Sequence, residues 1–149
     1  HLSIRRQRQM CIRDRFWTMD NSTVMQMGED AEGFMGVMPY RYYYDDAADA
    51  PMLKKIREMR PQYQSTGYMQ GFLAAMLFTE VAKRTLDAGK ELTSANMKAA
   101  LEGIKDFDTG GLIGVPISIK GNSIPVGRIY RADTKQKQMV PASDWIVLQ

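Results

Sequence analysis

The sequence of 149 residues has one histidine and one cysteine, and both lie among its first 15 residues. Residues 16–149 therefore contain no imidazole and no thiol, which excludes a Ser–His pair, a Cys–His pair and the usual zinc sites there. No stretch approaches the unbroken apolar length that crosses a bilayer. The segment DTGGLIG lacks the Gly-Lys-Ser/Thr of a phosphate-binding loop and predicts a turn. The sequence thus marks no catalytic group, no metal site and no cofactor site.

Basic charge is concentrated at the start of the chain. The net charge is +3, but residues 1–15 hold five of the 20 Lys and Arg side chains and one of the 17 acidic ones. Subtracting these leaves 15 basic and 16 acidic side chains in residues 16–149, which is nearly neutral. We therefore predict no nucleic-acid partner for that part of the chain.

Residues 5–15 read RRQRQMCIRDR, which matches the translation of a transposase adapter used to prepare sequencing libraries. We interpret residues 1–15 as a non-native scar and leave them out of the fold. This interpretation predicts that the chain is a fragment of a longer protein. The alternative is a basic arm that binds nucleic acid, whose salt-dependent binding would be lost on deleting these residues.

Apolar spacing beyond residue 15 predicts four helices. The first runs over 23–30 and is capped by Asp20 or Asn21. The second is capped by Asp49, has Pro51 in its first turn and ends at Pro61. The third spans about 68–88, is apolar nearly all round in its first half and is closed by Gly89, and the fourth starts at Thr93 or Ser94.

Short apolar runs predict strands between these helices. We expect a buried strand over 34–40, a short strand over 117–119, and a hairpin that pairs 127–132 with 138–140, followed by a partly apolar tail. The stretch YRYYYDD predicts a surface loop with one or two rings packed down and with Asp45 and Asp46 in solvent. Alternating strands and helices predict the α/β class.

Glu32 lies at a junction, where a short helix ends in Gly28-Glu-Asp-Ala-Glu-Gly33 and a strand follows. In open α/β folds such junctions face the ligand crevice. A carboxylate there pairs with an ammonium group through a charge-assisted hydrogen bond. On residue type alone, a solvated glutamate at a helix end explains the pattern better.

Four segments in order resemble the branched-chain amino-acid binding proteins of ABC importers. They are residues 28–51, which read GEDAEGFMGVMPYRYYYDDAADAP, then TGYMQGFLAAMLFTEVAKR, then LTSANMKAALEGIKDFDTGGL, and finally VPASDWI. The resemblance covers nearly all of residues 16–149. It implies a partial type I periplasmic-binding-protein fold, with pieces of two α/β lobes that close on a ligand at a hinge.

The resemblance divides the chain into lobes. It assigns residues 16–62 to part of lobe two, 63–124 to part of lobe one and 125–149 to the return to lobe two. Glu32 stands where the family's glutamate is expected to take the ligand's α-ammonium group, and Trp17 and Tyr68 are candidate neighbours of the cleft.

The resemblance implies an extracytoplasmic protein that transports without catalysis: it binds an amino acid, branched-chain or hydrophobic, and delivers it to a membrane permease. Glu29, a second acid near Glu32, and the tyrosine-rich loop depart from the family pattern and leave amides, ureas and other amino acids open as ligands. A sensory receptor or regulator domain of the same fold is the alternative function.

Overall fold

The computed structural model describes residues 20–121 and 123–148. The predictions for residues 1–15 and for Trp17 lie outside these residues. The described elements confirm the α/β class. In chain order they are α1 (Asn21–Met27), a 3-10 helix (Gly28–Ala31), β1 (Met35–Met38), α2 (Pro51–Met59), α3 (Thr66–Asp87), α4 (Ser94–Glu102), β2 (Val126–Asp133) and β3 (Gln138–Val147).

The strands form an antiparallel sheet in the order β1-β2-β3. β2 and β3 make the predicted hairpin, in which Asp133 pairs with Gln138. The Asp133 carboxylate closes the turn by accepting from the backbone N–H of Lys135 at 3.0 Å and of Gln136 at 2.8 Å. β3 continues to Val147, so the tail belongs to the hairpin. The strand predicted over 117–119 is reduced to one bridge between Ile117 and Phe107.

β1 lies at one edge of the sheet that the described strands form, and the prediction that it is a buried strand was wrong. Met38 is fully buried, but Met35 and Val37 are 48% and 54% exposed. Successive side chains of a strand point to opposite faces of the sheet, and here only one face is covered by described residues. A short apolar run does not distinguish such a half-covered strand from a fully buried one.

The helix boundaries follow local capping signals in most cases. Thr93 caps α4 by accepting from the backbone N–H of Asn96 at 3.3 Å, and Gly89 follows α3 with φ of 69°. The predicted cap of α2 was wrong. Ala50 occupies that position without a side-chain hydrogen bond, because the Asp49 carboxylate instead pairs with Arg41 Nη2 at 2.9 Å.

The first half of α3 is less enclosed than its composition predicts. Met69 and Leu73 are buried, whereas Ala74 and Ala75 are exposed and Phe72 is half-buried. The elements described here thus cover one side of the helix, and the expectation of burial on several sides was wrong for this structure.

The tyrosine loop after β1 is part of the core, and the prediction of a surface loop was wrong for it. Tyr40, Tyr42 and Tyr43 are all buried, and the Tyr42 ring meets Tyr130 edge to face at 4.8 Å between centroids. Asp45 was expected in solvent but is 4% exposed. Its Oδ2 accepts from the Tyr130 hydroxyl at 2.5 Å, a partner 85 residues away.

The DTGGLIG segment forms the predicted turn and packs on the start of α2. Gly110 and Gly111 have φ of 63° and 81°. The Gly110 carbonyl accepts from the backbone N–H of Met52 at 3.0 Å, and the Gly111 carbonyl accepts from Arg41 Nε at 2.9 Å. The turn therefore joins α2 to the chain just after β1.

Candidate functional site

Glu32 lies where the 3-10 helix ends and the chain turns towards β1. Its φ of −58° and ψ of 130° take it out of the helix, and Gly33 follows with φ of 76°. The side chain is exposed, and its Oε2 accepts from the Thr134 hydroxyl at 3.0 Å. Within residues 20–121 and 123–148, Thr134 is the one partner of this carboxylate. Glu32 therefore keeps free acceptor positions in an accessible place beside the β2–β3 turn.

Tyr68 lies in the first turn of α3. Its backbone N–H is held by the Ser65 hydroxyl, the helix cap, at 3.4 Å. The ring is half-buried and lies 6.5 Å from the ring of Phe72. An aromatic ring on a capped first turn is a rigid surface against which an apolar ligand group could pack.

The three residues singled out by the sequence are not gathered into one contact. No hydrogen bond, ion pair or ring contact in the described part of the chain joins Glu32 to Tyr68. Trp17 lies outside that part.

A buried carboxylate connects the segments that carry Glu32 and Tyr68. Asp20 is 6% exposed and caps α1 by accepting from the backbone N–H of Ser22 at 2.8 Å. The same carboxylate accepts from the Tyr63 hydroxyl, from the backbone N–H of Thr66 at 2.7 Å and from the Thr66 hydroxyl at 2.8 Å. We call Asp20, Asn21, Tyr63 and Thr66 the Asp20 junction.

The electrostatics of the Asp20 junction favour a charged Asp20. Burial by itself raises the pKa of this carboxyl group, but the hydrogen bonds from Thr66, Tyr63 and Ser22 outweigh it and hold the pKa below its ordinary value of 3.8. Burial and the charge of Asp20 raise the pKa of Tyr40 to about 12. The junction is therefore a fixed negative charge surrounded by neutral donors at neutral pH.

Asp20 and Glu32 differ in the number of hydrogen-bond acceptor positions that remain free for a ligand. Each oxygen of Asp20 accepts two hydrogen bonds from the protein, which fills the roughly four acceptor positions of a carboxylate. Asp20 is thus committed to holding the structure. The sequence indicated Asp20 as a helix cap, but no local signal could reveal its bonds to Thr66, which lies 46 residues further on.

A separate groove of 610 Å³ lies between α2 and α3. Its apolar walls come from Met52, Met59, Phe72 and Met76, and neither Glu32 nor Tyr68 lines it. The described residues contain no cluster of three or more His, Cys, Asp or Glu side chains that could hold a metal ion. No helix in that part of the chain has the length and apolar character needed to cross a membrane.

The chain is similar to a protein family and to a solved structure. The sequence profile of the family described as periplasmic binding protein matches residues 8–138. No curated protein matches the chain. A crystal structure described as that of a branched chain amino acid ABC transporter from Thermus thermophilus with bound valine is similar, with a TM-score of 0.68 and 20% sequence identity.

The structural match covers 86% of this chain and 37% of that chain. At 20% identity it shows a shared fold and nothing more specific. The chain thus spans little more than a third of the length of the similar protein. The partial periplasmic-binding-protein fold predicted from the sequence is confirmed.

Proposed function

Because this chain belongs to the periplasmic binding protein family, we propose that the whole protein is the solute-binding component of an ABC importer. It would work outside the cytoplasm and deliver its ligand to a membrane permease. It would bind the ligand without transforming it. The family match over residues 8–138 is the observation that carries this proposal.

The ligand we propose is an amino acid with a branched-chain or other hydrophobic side chain. The similar structure was solved with bound valine, which supports this class. In our chain, Glu32 is exposed and keeps free acceptor positions, so it is suited to receive an α-ammonium group. Tyr68 and Trp17 are proposed as apolar neighbours of the same ligand.

Closure of two lobes would complete the binding site. We propose that residues 16–62 and 125–149 belong to lobe two and that 63–124 belong to lobe one. Exclusion of water on closure would strengthen the ion pair at Glu32. Since the chain spans 37% of the similar protein, the groups that hold the α-carboxylate are proposed to lie outside these 149 residues.

Calorimetry on the whole protein, expressed from its natural reading frame, tests the proposal. Valine, leucine, a short amide and urea are titrated separately. We expect valine or leucine to bind, and Glu32→Gln to weaken binding by about ten- to a hundredfold, because it removes a charge-assisted hydrogen bond. Glu58→Gln, a change of the same kind at an exposed position of α2, is the control and should leave the affinity unchanged.

The outcomes separate the ligand class from the role of Glu32. If only urea or only the amide binds, the proposed amino-acid ligand is wrong and the ligand belongs to that other class. Equal affinities for the Glu32 and Glu58 variants would show that Glu32 does not contact the ligand. Failure of all four ligands to bind would refute the proposed function.

A further inference from the structure

The Asp20 junction holds one end of α3 more firmly than capping alone requires. Thr66, the first residue of α3, has its N–H and its hydroxyl bound to Asp20 and its carbonyl oxygen bound by the Tyr40 hydroxyl at 3.3 Å. All of its polar groups are therefore fixed by residues outside α3. Helix ends otherwise fray readily.

The adjacent residue ties the same point to the sheet. Asn21 is fully buried, and its Oδ1 accepts from the backbone N–H of Met139 at 2.8 Å. Met139 lies in β3, 118 residues further on. Two consecutive residues thus fix the start of α1 against both the start of α3 and the start of β3.

Tyr68 and Glu32, the two candidate ligand contacts among the described residues, are both connected to the Asp20 junction through short stretches of chain. Tyr68 lies two residues after Thr66. Glu32 follows α1 through the 3-10 helix, and its carboxylate is bound by Thr134 in the turn that leads into β3. The position of each contact relative to the other therefore depends on the Asp20 junction.

We propose that Asp20 is a positioning residue for ligand binding: it holds the start of α3, so that Tyr68 reaches the orientation towards Glu32 that the ligand requires when the lobes are closed. Asp20 acts through Thr66 and does not touch the ligand, because its acceptor positions are already filled. This inference rests on the proposed function. It adds Asp20, a buried residue that does not contact the ligand but whose removal is expected to weaken ligand binding.

Three substitutions in α3 test the proposal. Thr66→Val removes the hydroxyl that donates to Asp20, and Thr66→Ser keeps it. Thr85→Val is the matched control: Thr85 is also buried in α3, and its hydroxyl donates to the Val81 carbonyl within the helix, away from the junction. Calorimetry with valine and thermal unfolding are measured for each variant of the whole protein.

We expect Thr66→Val to weaken valine binding by about two- to thirtyfold, the range typical of a change within a coupling network. Thr66→Ser should bind like the wild type. Thr85→Val should lower the melting temperature to a similar degree without changing the affinity. If Thr66→Val and Thr85→Val both lower the melting temperature and neither changes the affinity for valine, Asp20 has only a structural role and the proposal is wrong.

Hydrogen exchange without ligand provides the second measurement. The backbone amides of Met69 and Gln70 report on the first turn of α3. We expect them to exchange about two- to tenfold faster in Thr66→Val than in Thr85→Val, because a bond that orders this turn is lost. Tyr63→Phe, a milder change that removes another donor to Asp20, should act in the same direction if Thr66→Val does not fold.

These measurements distinguish the two proposals. If the wild type binds no valine but the amides exchange faster in the junction variants, the valine ligand is wrong and the fixing of α3 by Asp20 stands. If exchange is unchanged in the Thr66 and Tyr63 variants, Asp20 does not hold the first turn of α3 and the inference is overturned whatever the ligand.

Discussion

The turn at Gly110 and Gly111 provides a test of how closely the chain packs on the start of α2. Gly111 has φ of 81°, a conformation that costs other residues about 1–2 kcal/mol. A Cβ atom at Gly111 would lie 2.4 Å from the Cα of Ala50 and 2.5 Å from the carbonyl oxygen of Asp49. Both are backbone atoms, so the contact is relieved only if the turn or the start of α2 moves.

Moving the turn would disturb two further contacts. The Gly111 carbonyl accepts from Arg41 Nε, and the neighbouring Leu112 carbonyl accepts from the Arg41 backbone N–H at 2.8 Å. Overpacking of this kind costs about 1–3 kcal/mol. Together with the cost of the conformation, we expect Gly111→Ala to lower the free energy of unfolding by about 2–5 kcal/mol.

Gly89→Ala separates the two costs. Gly89 has φ of 69°, but nothing lies within 4 Å of a Cβ atom built there. This variant should lose about 1–2 kcal/mol from the conformation alone. Urea unfolding at about 25 °C, followed by circular dichroism, measures both losses. Equal losses of unfolding free energy in the two variants would refute the argument. They would show that the turn at Gly111 moves to accommodate the added Cβ atom without losing stability.

Two other contacts give predictions of their own. Because the pKa of folded Asp20 lies below 3.8, its charged form stabilises the fold above about pH 4, and this contribution is lost as the pH falls through the folded pKa. Melting curves from about pH 7 to about pH 2.5 should therefore show Asp20→Asn approaching the wild type only at the acid end. Tyr130→Phe should cost about 1–3 kcal/mol in urea unfolding because it leaves buried Asp45 without that donor, whereas Tyr44→Phe, on a ring that is 49% exposed, should change stability by less than about 0.5 kcal/mol.

Features with local causes were predictable from the sequence. The Thr93 cap, the Gly89 helix end and the β2–β3 hairpin each depend on residues within a few positions of one another. The α/β class follows from the order of such elements.

Features set by distant partners were not predictable. Asp49 resembles a helix cap in sequence, but it is captured by Arg41, whose other donors bind the Gly111 and Asp46 carbonyls. Asp45 resembles a loop charge, but Tyr130 supplies a buried donor. In each case the fold supplies a hydrogen-bond partner that the residues next to the aspartate in the sequence do not indicate.

The candidate site divides in the same way. Glu32 came from a motif that resembles a family, and its role as a ligand contact stays a prediction. The bonds from Asp20 to Thr66 required the fold, because sequence patterns give no distance between residues that are far apart in the chain.

The bond between Asn21 and Met139 also constrains the order in which the protein can fold as it is made. A ribosome adding about 5–20 residues per second needs about 6–24 s to pass from one partner to the other. During that time β3 cannot cover Asn21 or donate a hydrogen bond to it. The β2–β3 hairpin then closes within microseconds once it has emerged. Asn21 therefore gains its partner in β3 only after the ribosome has added the 118 residues that separate it from Met139.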